Sequence, residues 1–340
     1  MKYLTEKKLR ENLEKISCAS VGIVADFCVD MYWHADMTIS ELSRETPHHP
    51  LPIVAERTGL GAGGNVAANL KAIGLKNVYA VTLRGNDWRG LILQKLIEEA
   101  GINGRFLAVS ENFTTSAYCK PLRKGVSDTV YEDPRLDFEN REPLTAKDED
   151  ALIANIEALA RLVDVIVVSD QFKRGVVTDK VRAYICRLAE KKTVLADSRD
   201  RIALYTNVTA KPNEVELFRV FRPGALKERI GDDTVIELGA RLQRQNGRPT
   251  VVTAGARGAF LFGDAGYELF PVPAEEPPID IVGAGDAFLS ALTACRAAGV
   301  PWNESIETAH LCTGVTIKKL NTTGTASPDE ILAKLRERTA

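Results

Sequence analysis

The chain has 340 residues, 45% hydrophobic and 26% charged, a profile that suits a folded protein with a substantial core and excludes a disordered or collagen-like one. Lys plus Arg total 44 against 46 Asp plus Glu, so the formal net charge of −2 gives no broad attraction to nucleic acid or an anionic membrane. The charged opening Met1-Lys2-Tyr3-Leu4-Thr5-Glu6-Lys7-Lys8-Leu9, the lack of any run near the roughly 20 apolar residues of a membrane span, and six cysteines without a Cys-x-x-Cys pair predict a cytoplasmic protein with free thiols and no transition-metal site.

Residues 3–16 place Leu4, Leu9, Leu13 and Ile16 at amphipathic helical spacing. Ser20 to Asp26 is a buried strand ending in a carboxylate. The 31–60 region, with Pro47, Pro50 and Pro52, looks irregular with short β-like pieces. Gly61-Ala62-Gly63-Gly64-Asn65 then opens a helix from Val66 to Ile73. A strand from Val78 to Leu83 and a helix from Gly90 to Ala100 follow. Thr114 to Cys119 and Asp128 to Tyr131 look like strands without a helix between them. With parts of 31–60 they predict a small antiparallel β lid, contributed by about 31–60 and 112–135.

Alternation then resumes. Helices are predicted over 151–162, 178–191, 234–245, 287–298 and 305–320. Strands are predicted at Val163 to Asp170, Thr193 to Asp197, Thr250 to Thr253 and Gly258 to Phe262. This order predicts an α/β protein whose mostly parallel sheet is covered on both faces, and no repeat or linker divides 1–340 into more than one domain. Ligands of such sheets gather at the carboxyl ends of the strands, where Asp26, Asp170, Asp197 and Thr253 fall.

The most informative segment is Asp280-Ile281-Val282-Gly283-Ala284-Gly285-Asp286, followed at once by an apolar helical run. Small residues entering a helix leave unpaired amides and a positive dipole end facing outward, a natural site for phosphate or a developing oxyanion. Asp286 in the first turn would repel a bound phosphate, but would serve as the acceptor of a proton from an attacking hydroxyl. By itself the segment fits a plain capped turn equally well.

Gly61-x-Gly63-Gly64-Asn65-x-Ala67-x-Asn69 and Asp280-x-x-Gly283-Ala284-Gly285-Asp286, with Lys211-Pro212-Asn213-Glu214-x-Glu216 and Thr253-x-Gly255-x-x-Gly258 between them, resemble the ordered motifs of the ribokinase (phosphofructokinase-B) family of carbohydrate kinases. The resemblance spans nearly the whole chain. It implies a three-layer α/β/α fold with a β lid, ATP and Mg²⁺ as cofactors, and a small sugar or sugar phosphate as acceptor. By the same match Asp286 would be the general base, and Gly283, Ala284 and Gly285 the anion hole. Asp30, Gly63, Gly64, Asn65 and Asn69 would bind the acceptor, with Lys173 on a phosphate. Asn213 and Glu216 would organise Mg²⁺ through water, although the pair also has the spacing of a capping box. Asn213, Thr253, Gly255 and Gly258 would meet the nucleotide phosphates. His310 and Gly314, in the segment 309–314, would line the adenine pocket together with residues 321–324.

Asp26-x-x-x-Asp30-x-Tyr32-Trp33, Arg135-Leu136-Asp137-Phe138-Glu139 and Ser169-Asp170-Gln171-Phe172-Lys173-x-Gly175 further resemble the heptose 7-phosphate kinase branch, with Ala25 where that branch has Gly. Lys120, Arg123 and Lys124 of the lid are further candidates for phosphate contact. A K⁺-like monovalent cation near Asp280, a homodimer through the lid and a kinase without an appended nucleotidyltransferase are also implied. A nucleoside kinase, with Tyr32 or Trp33 stacking on a base, and a non-catalytic sugar or nucleotide sensor are the alternatives. A dinucleotide oxidoreductase is disfavoured, since no Gly-x-Gly-x-x-Gly follows the first strand.

Overall fold

A computed structural model describes residues 2–127, 129–224, 230–320 and 322–339. The chain runs α1 (Glu6–Cys18), β1 (Ser20–Ala25), β2 (Phe27–Asp36), β3 (Ile53–Ala62), α2 (Gly63–Ala72), β4 (Asn77–Gly85), α3 (Trp88–Glu99), β5 (Asn103–Ser110), β6 (Ser116–Lys124), β7 (Val130–Glu132), β8 (Leu136–Phe138), α4 (Ala146–Ala160), β9 (Val165–Asp170), α5 (Asp179–Leu188), β10 (Thr193–Ser198), β11 (Thr209–Ala210), α6 (Glu214–Phe221), α7 (Asp232–Asn246), β12 (Thr250–Thr253), β13 (Ala259–Gly263), β14 (Gly266–Phe270), α8 (Ala284–Ala297), α9 (Trp302–Thr316) and α10 (Pro328–Thr339).

Among the described residues the main sheet has the order β14-β13-β12-β11-β10-β9-β1-β4-β5. It is parallel from β12 to β5, and the last two strands turn back antiparallel. The apolar run of β9 explains why two faces are covered. Val165 and Val167 point into a core shared with α1, α2, α8, α9 and α10, while Ile166 and Val168 point into a second core with α4, α5 and α7. The α/β expectation is borne out.

The second sheet has the order β3-β2-β6-β7, with β8 also paired to β6. Two details differ from the sequence expectation. The 31–60 region is mostly regular: β2 and β3 are ten-residue strands paired from Phe27↔Ala62 to Ala35↔Ile53, and the three prolines fall in the connection between them or just before β3. The outer half of β3 is exposed, so no apolar alternation marks it in the sequence. The sheet is also mixed rather than antiparallel, because β2 and β6 run parallel from Cys28↔Ser116 to Asp36↔Lys124. It begins at Phe27, before the lid limit expected from sequence. Asp128, where the next lid strand was expected to start, lies outside the described residues.

The helix α2 leaves β3 without a loop. Ala62 turns the chain at φ 50°, and the Gly63 amide donates to the Asp26 carbonyl at 2.8 Å. A Cβ on Gly63 would overlap that of Ala25 and lie 2.9 Å from the Asp26 carbonyl oxygen. Gly63→Ala should therefore cost about 1–3 kcal/mol by overpacking, read as a lower melting temperature. An unchanged melting temperature would show that this junction has slack.

Candidate active site

Helix α8 is where the site begins. Gly283 caps it in the left-handed region at φ 79°, and its Cβ-free surface lies against Asn65. The Ala284 amide is spent on the Ile281 carbonyl at 3.1 Å. The amides of Gly285 and Asp286 have no intramolecular acceptor among the described residues, as expected for a first helical turn. The Gly283 amide likewise has no acceptor among the described residues, so of the three residues expected from sequence only Ala284 has its amide taken up.

Asp286 is the third residue of α8 and lines a cavity of about 290 Å³. Its Oδ2 accepts from Asn65 Nδ2 at 2.7 Å. Burial raises the carboxyl pKa to about 6; the Asn65 hydrogen bond opposes the shift, Asp197 reinforces it and Lys211 opposes it. Asn65 comes from the first turn of α2, so the two glycine-rich segments, 221 residues apart in the chain, meet at this bond.

Asp30, on β2, lines the same cavity from the lid side. Burial pushes its carboxyl up, against the pull of Lys120, Arg135 and Arg57. Lys120, on β6, also lines the cavity and donates to Tyr32 Oη at 3.1 Å. Arg135 stacks over Tyr118, 4.1 Å from the ring centre, and both face the cavity.

Asn213 and Glu216, expected to meet the metal and nucleotide phosphates, form the capping box of α6. Asn213 Oδ1 accepts from the Val215 and Glu216 amides, and Glu216 Oε2 accepts from the Asn213 amide at 2.8 Å. Both also line the cavity, so the structural role and an open polar edge coexist. Asn213 bridges to Thr253, which lines it too. Gly255 (φ 57°) and Gly258 (φ 102°) shape the turn after β12, beyond the cavity wall.

Several expected residues stand elsewhere. Gly63 and Gly64 are packing residues, and Gly61 and Ala62 line the cavity in their place. Asn69 is fully buried, and its Nδ2 donates to the Asn65 backbone carbonyl at 3.0 Å and to Asn65 Oδ1 at 3.3 Å, so it orients Asn65. Lys173 is exposed and lines an adjoining groove with Arg199 and Asp200. Arg123 pairs with Asp133 at 3.1 Å. His310 is a core residue: its Nε2 bonds the Phe270 carbonyl at 3.1 Å, its ring meets Phe288 edge-on, and burial pushes its pKa down to about 4. Gly314 packs beneath Glu275, Lys334 and Arg338. Of the 321–324 segment, Thr323 reaches the cavity, while Asn321 lies outside the described residues.

Sequence reasoning assigned no role to Lys211, which is buried at the floor of the site with its Nζ 3.0 Å from Asp197 Oδ2. Burial works against its charge, but Asp197, Glu216 and Asp286 outweigh it and hold the pKa above the ordinary lysine value. Burial and Asp197 likewise raise Glu216 to about 7. Asp197 Oδ1 is buried with no partner. The available signal was a lysine directly following Val208-Thr209-Ala210 and opening the Lys-Pro-Asn-Glu run.

Residues 29–330 match the pfkB family of carbohydrate kinases. The chain belongs to that family. It is therefore a carbohydrate kinase, an enzyme that moves a phosphoryl group to a sugar hydroxyl. It is 29% identical over 320 residues to the D-beta-D-heptose 7-phosphate kinase of Bordetella bronchiseptica, covering 91% of this chain and 94% of that one. It is 30% identical over 329 residues to the bifunctional protein HldE of Methylococcus capsulatus, covering 94% of this chain but 64% of that protein. The chain thus spans somewhat less than two thirds of this bifunctional relative's length. Among solved structures, the fold resembles Escherichia coli phosphofructokinase-2 in complex with potassium (TM-score 0.73, 17% identity, covering 95% and 100%) and Arabidopsis thaliana ribokinase complexed with ribose and ATP (0.68, 17%, 94% and 99%).

Proposed function

We propose that this kinase transfers the γ-phosphoryl of ATP to a hydroxyl of a sugar phosphate of the heptose 7-phosphate type, with Asp286 as general base. The observation that carries this reading is the position of Asp286, in the first turn of α8, tied to Asn65 at 2.7 Å and lining one cavity with Asp30 and Lys120. The base would take the hydroxyl proton as the oxygen attacks phosphorus, and the Gly285 and Asp286 amides would face the charge that builds on the transferring group. Lys120, Arg135 and Arg199 give the acceptor half of the cavity cationic groups suited to an acceptor that already carries a phosphate.

The carboxylate of Glu216 and the unpartnered Oδ1 of Asp197 suit a hard cation that keeps most of its waters, so these residues would hold Mg²⁺. When bound, Mg²⁺ neutralises charge on the nucleotide phosphates. K⁺ dependence is a further part of the reading, supported by the potassium complex of the E. coli relative. Dimerisation through the lid is supported by exposed Ile53, Val54, Val130 and Tyr131 on its strands. A single domain over 1–340 and a cytoplasmic location complete it.

A screen of ATP consumption over sugars, sugar phosphates and nucleosides tests the proposal. Preference for a heptose 7-phosphate is expected; consumption only with nucleosides, or with nothing, would overturn it. The nucleoside alternative loses its clamp. Arg57 sits 4.0 Å from the Tyr32 ring centre, and Trp33 packs against the core. The pH profile supplies a second check. A base with a pKa of about 6 is protonated and idle below that pH, so kcat/KM should fall about tenfold per pH unit below it and level off above. A flat profile between pH 5 and 7 would remove Asp286 as the titrating base.

A further inference from the structure

Asp26 occupies the single position between β1 and β2 and is buried, yet it does not line the cavity. Its carboxylate accepts three backbone amides of one short segment: Gln171 at 2.9 Å and Phe172 at 2.8 Å on Oδ2, and Val176 at 2.7 Å on Oδ1. Gly175 closes over it, and any Cβ there would overlap the carboxylate. On the far side Arg201, paired with buried Asp170, donates to the Phe172 carbonyl at 2.9 Å. Residues 171–176 belong to no helix or strand, so these bonds, rather than a ladder, fix their path. The segment presents Gln171 and Phe172 to the cavity, where Phe172 meets Tyr118 edge-on at 6.1 Å.

We propose that Asp26 is a positioning residue for the acceptor: its carboxylate, cradled under Gly175, clamps the 171–176 segment so that Gln171 and Phe172 form a fixed wall of the acceptor half of the cavity. Two sequence features that stand 145 residues apart, Asp26 and the Gln171–Gly175 run, are then one device. An asparagine offers one acceptor oxygen and turns an NH₂ toward at least one of the donors, so it cannot serve all three amides. The inference rests on this cavity being the acceptor site, as proposed above.

The test is Asp26→Asn in the full chain, followed by hydrogen exchange and steady-state kinetics. The amides of Gln171, Phe172 and Val176 should exchange at least about tenfold faster, since a charged acceptor of buried donors is lost. The KM for the acceptor found in the screen should rise about tenfold, with the KM for ATP and kcat moving less than about twofold. Phe172→Ala, which removes the wall and leaves the clamp, should reproduce the acceptor KM shift and keep the three amides protected. Unchanged exchange, or a shift in ATP KM instead of acceptor KM, overturns the proposal. If Asp26→Asn does not fold, an unchanged acceptor KM in Phe172→Ala overturns it. Hydrogen exchange needs no substrate, so the clamp is judged separately from the identity of the acceptor.

Discussion

Asp286→Asn is expected to lower turnover by at least about 10²-fold while ATP binding largely survives. The asparagine keeps the shape and can still accept from Asn65 Nδ2, so the helix entry and its open amides should stay in place. What is lost is the capacity to take a proton. Turnover by coupled assay and ATP affinity by calorimetry separate the two effects, and near-normal turnover would refute the base assignment. A second consequence concerns stability. The carboxyl pKa rises on folding from 3.8 to about 6, so the ionised form is disfavoured in the fold. Stability is lost as pH rises from about 3.8 through about 6, and at pH 8 the native state carries a cost of at most about 3 kcal/mol, less because the side chain keeps a face open to the cavity. The neutral variant should therefore melt at the same or a higher temperature at pH 8, as a residue kept for function rather than stability would.

Lys211→Met should do the reverse and destabilise the protein by about 3–5 kcal/mol. The lysine is 2% exposed and its ammonium lies 3.0 Å from Asp197, with Glu216 and Asp286 adding their pull. Removing it leaves Asp197 buried without a counter-charge and Glu216 still harder to ionise. The melting temperature at pH 8 should fall by several degrees, on the order of 10 °C at most for a chain of this size. Adding Asp197→Asn should recover much of the loss, because replacing both members of a buried pair avoids a lone buried charge. No loss in the single variant, or no recovery in the double, would show that the pair is not the keystone of this floor. Activity should fall in both, since Lys211 Nζ would lie 4.0 Å from a Cβ on Gly285, beside the open amides.

The mostly parallel α/β core was legible because β1, β9 and β10 are apolar runs that end in or just before carboxylates, and because α/β alternation needs no long-range information; the order of the strands in the sheet was not. Strands β5, β8, β11 and β14 were missed: β5 carries Arg105 and exposed positions at a sheet edge, β8 and β11 are only three and two residues long, and β14 is exposed through Leu269. Helices α6 and α10 were missed as well, α6 being only eight residues long and the buried Ile331, Leu332 and Leu335 of α10 diluted by charge. In the site, chemistry-bearing residues with family spacing were readable, and Asp286, Asn65, Asp30, Asn213, Glu216 and Thr253 do face one cavity. The failures share a cause. Asn69 and Gly63 sit one turn or one residue from cavity-lining positions and His310 points into the core, and the direction in which a side chain leaves its helix is set by packing that linear spacing does not encode. Asp26 was placed at the ligand edge of the sheet, but its partners, the amides of 171–176, lie about 145 residues on and could not be read from spacing, and Lys211 was given no role because a lysine beside a short run looks solvent-exposed.

The β2–β3 arm of the lid leaves the core at one residue, Asp26, and returns at Ala62, where β3 passes directly into α2; the other lid strands join the core through residues 111–115 and 139–145. There is no slack at either crossing, so β2 behaves as a lever whose fulcrum is a buried, three-fold bonded aspartate. At about 3.3 Å per residue, Asp36 lies about 30 Å from that fulcrum and Asp30 about 13 Å. A rigid swing that moves the tip by about 5 Å therefore carries Asp30 by about 2 Å, enough to break a hydrogen bond. Whatever touches the outer end of the lid, another copy of the chain included, is thereby geared down onto Asp30, the carboxylate with which the lid lines the cavity.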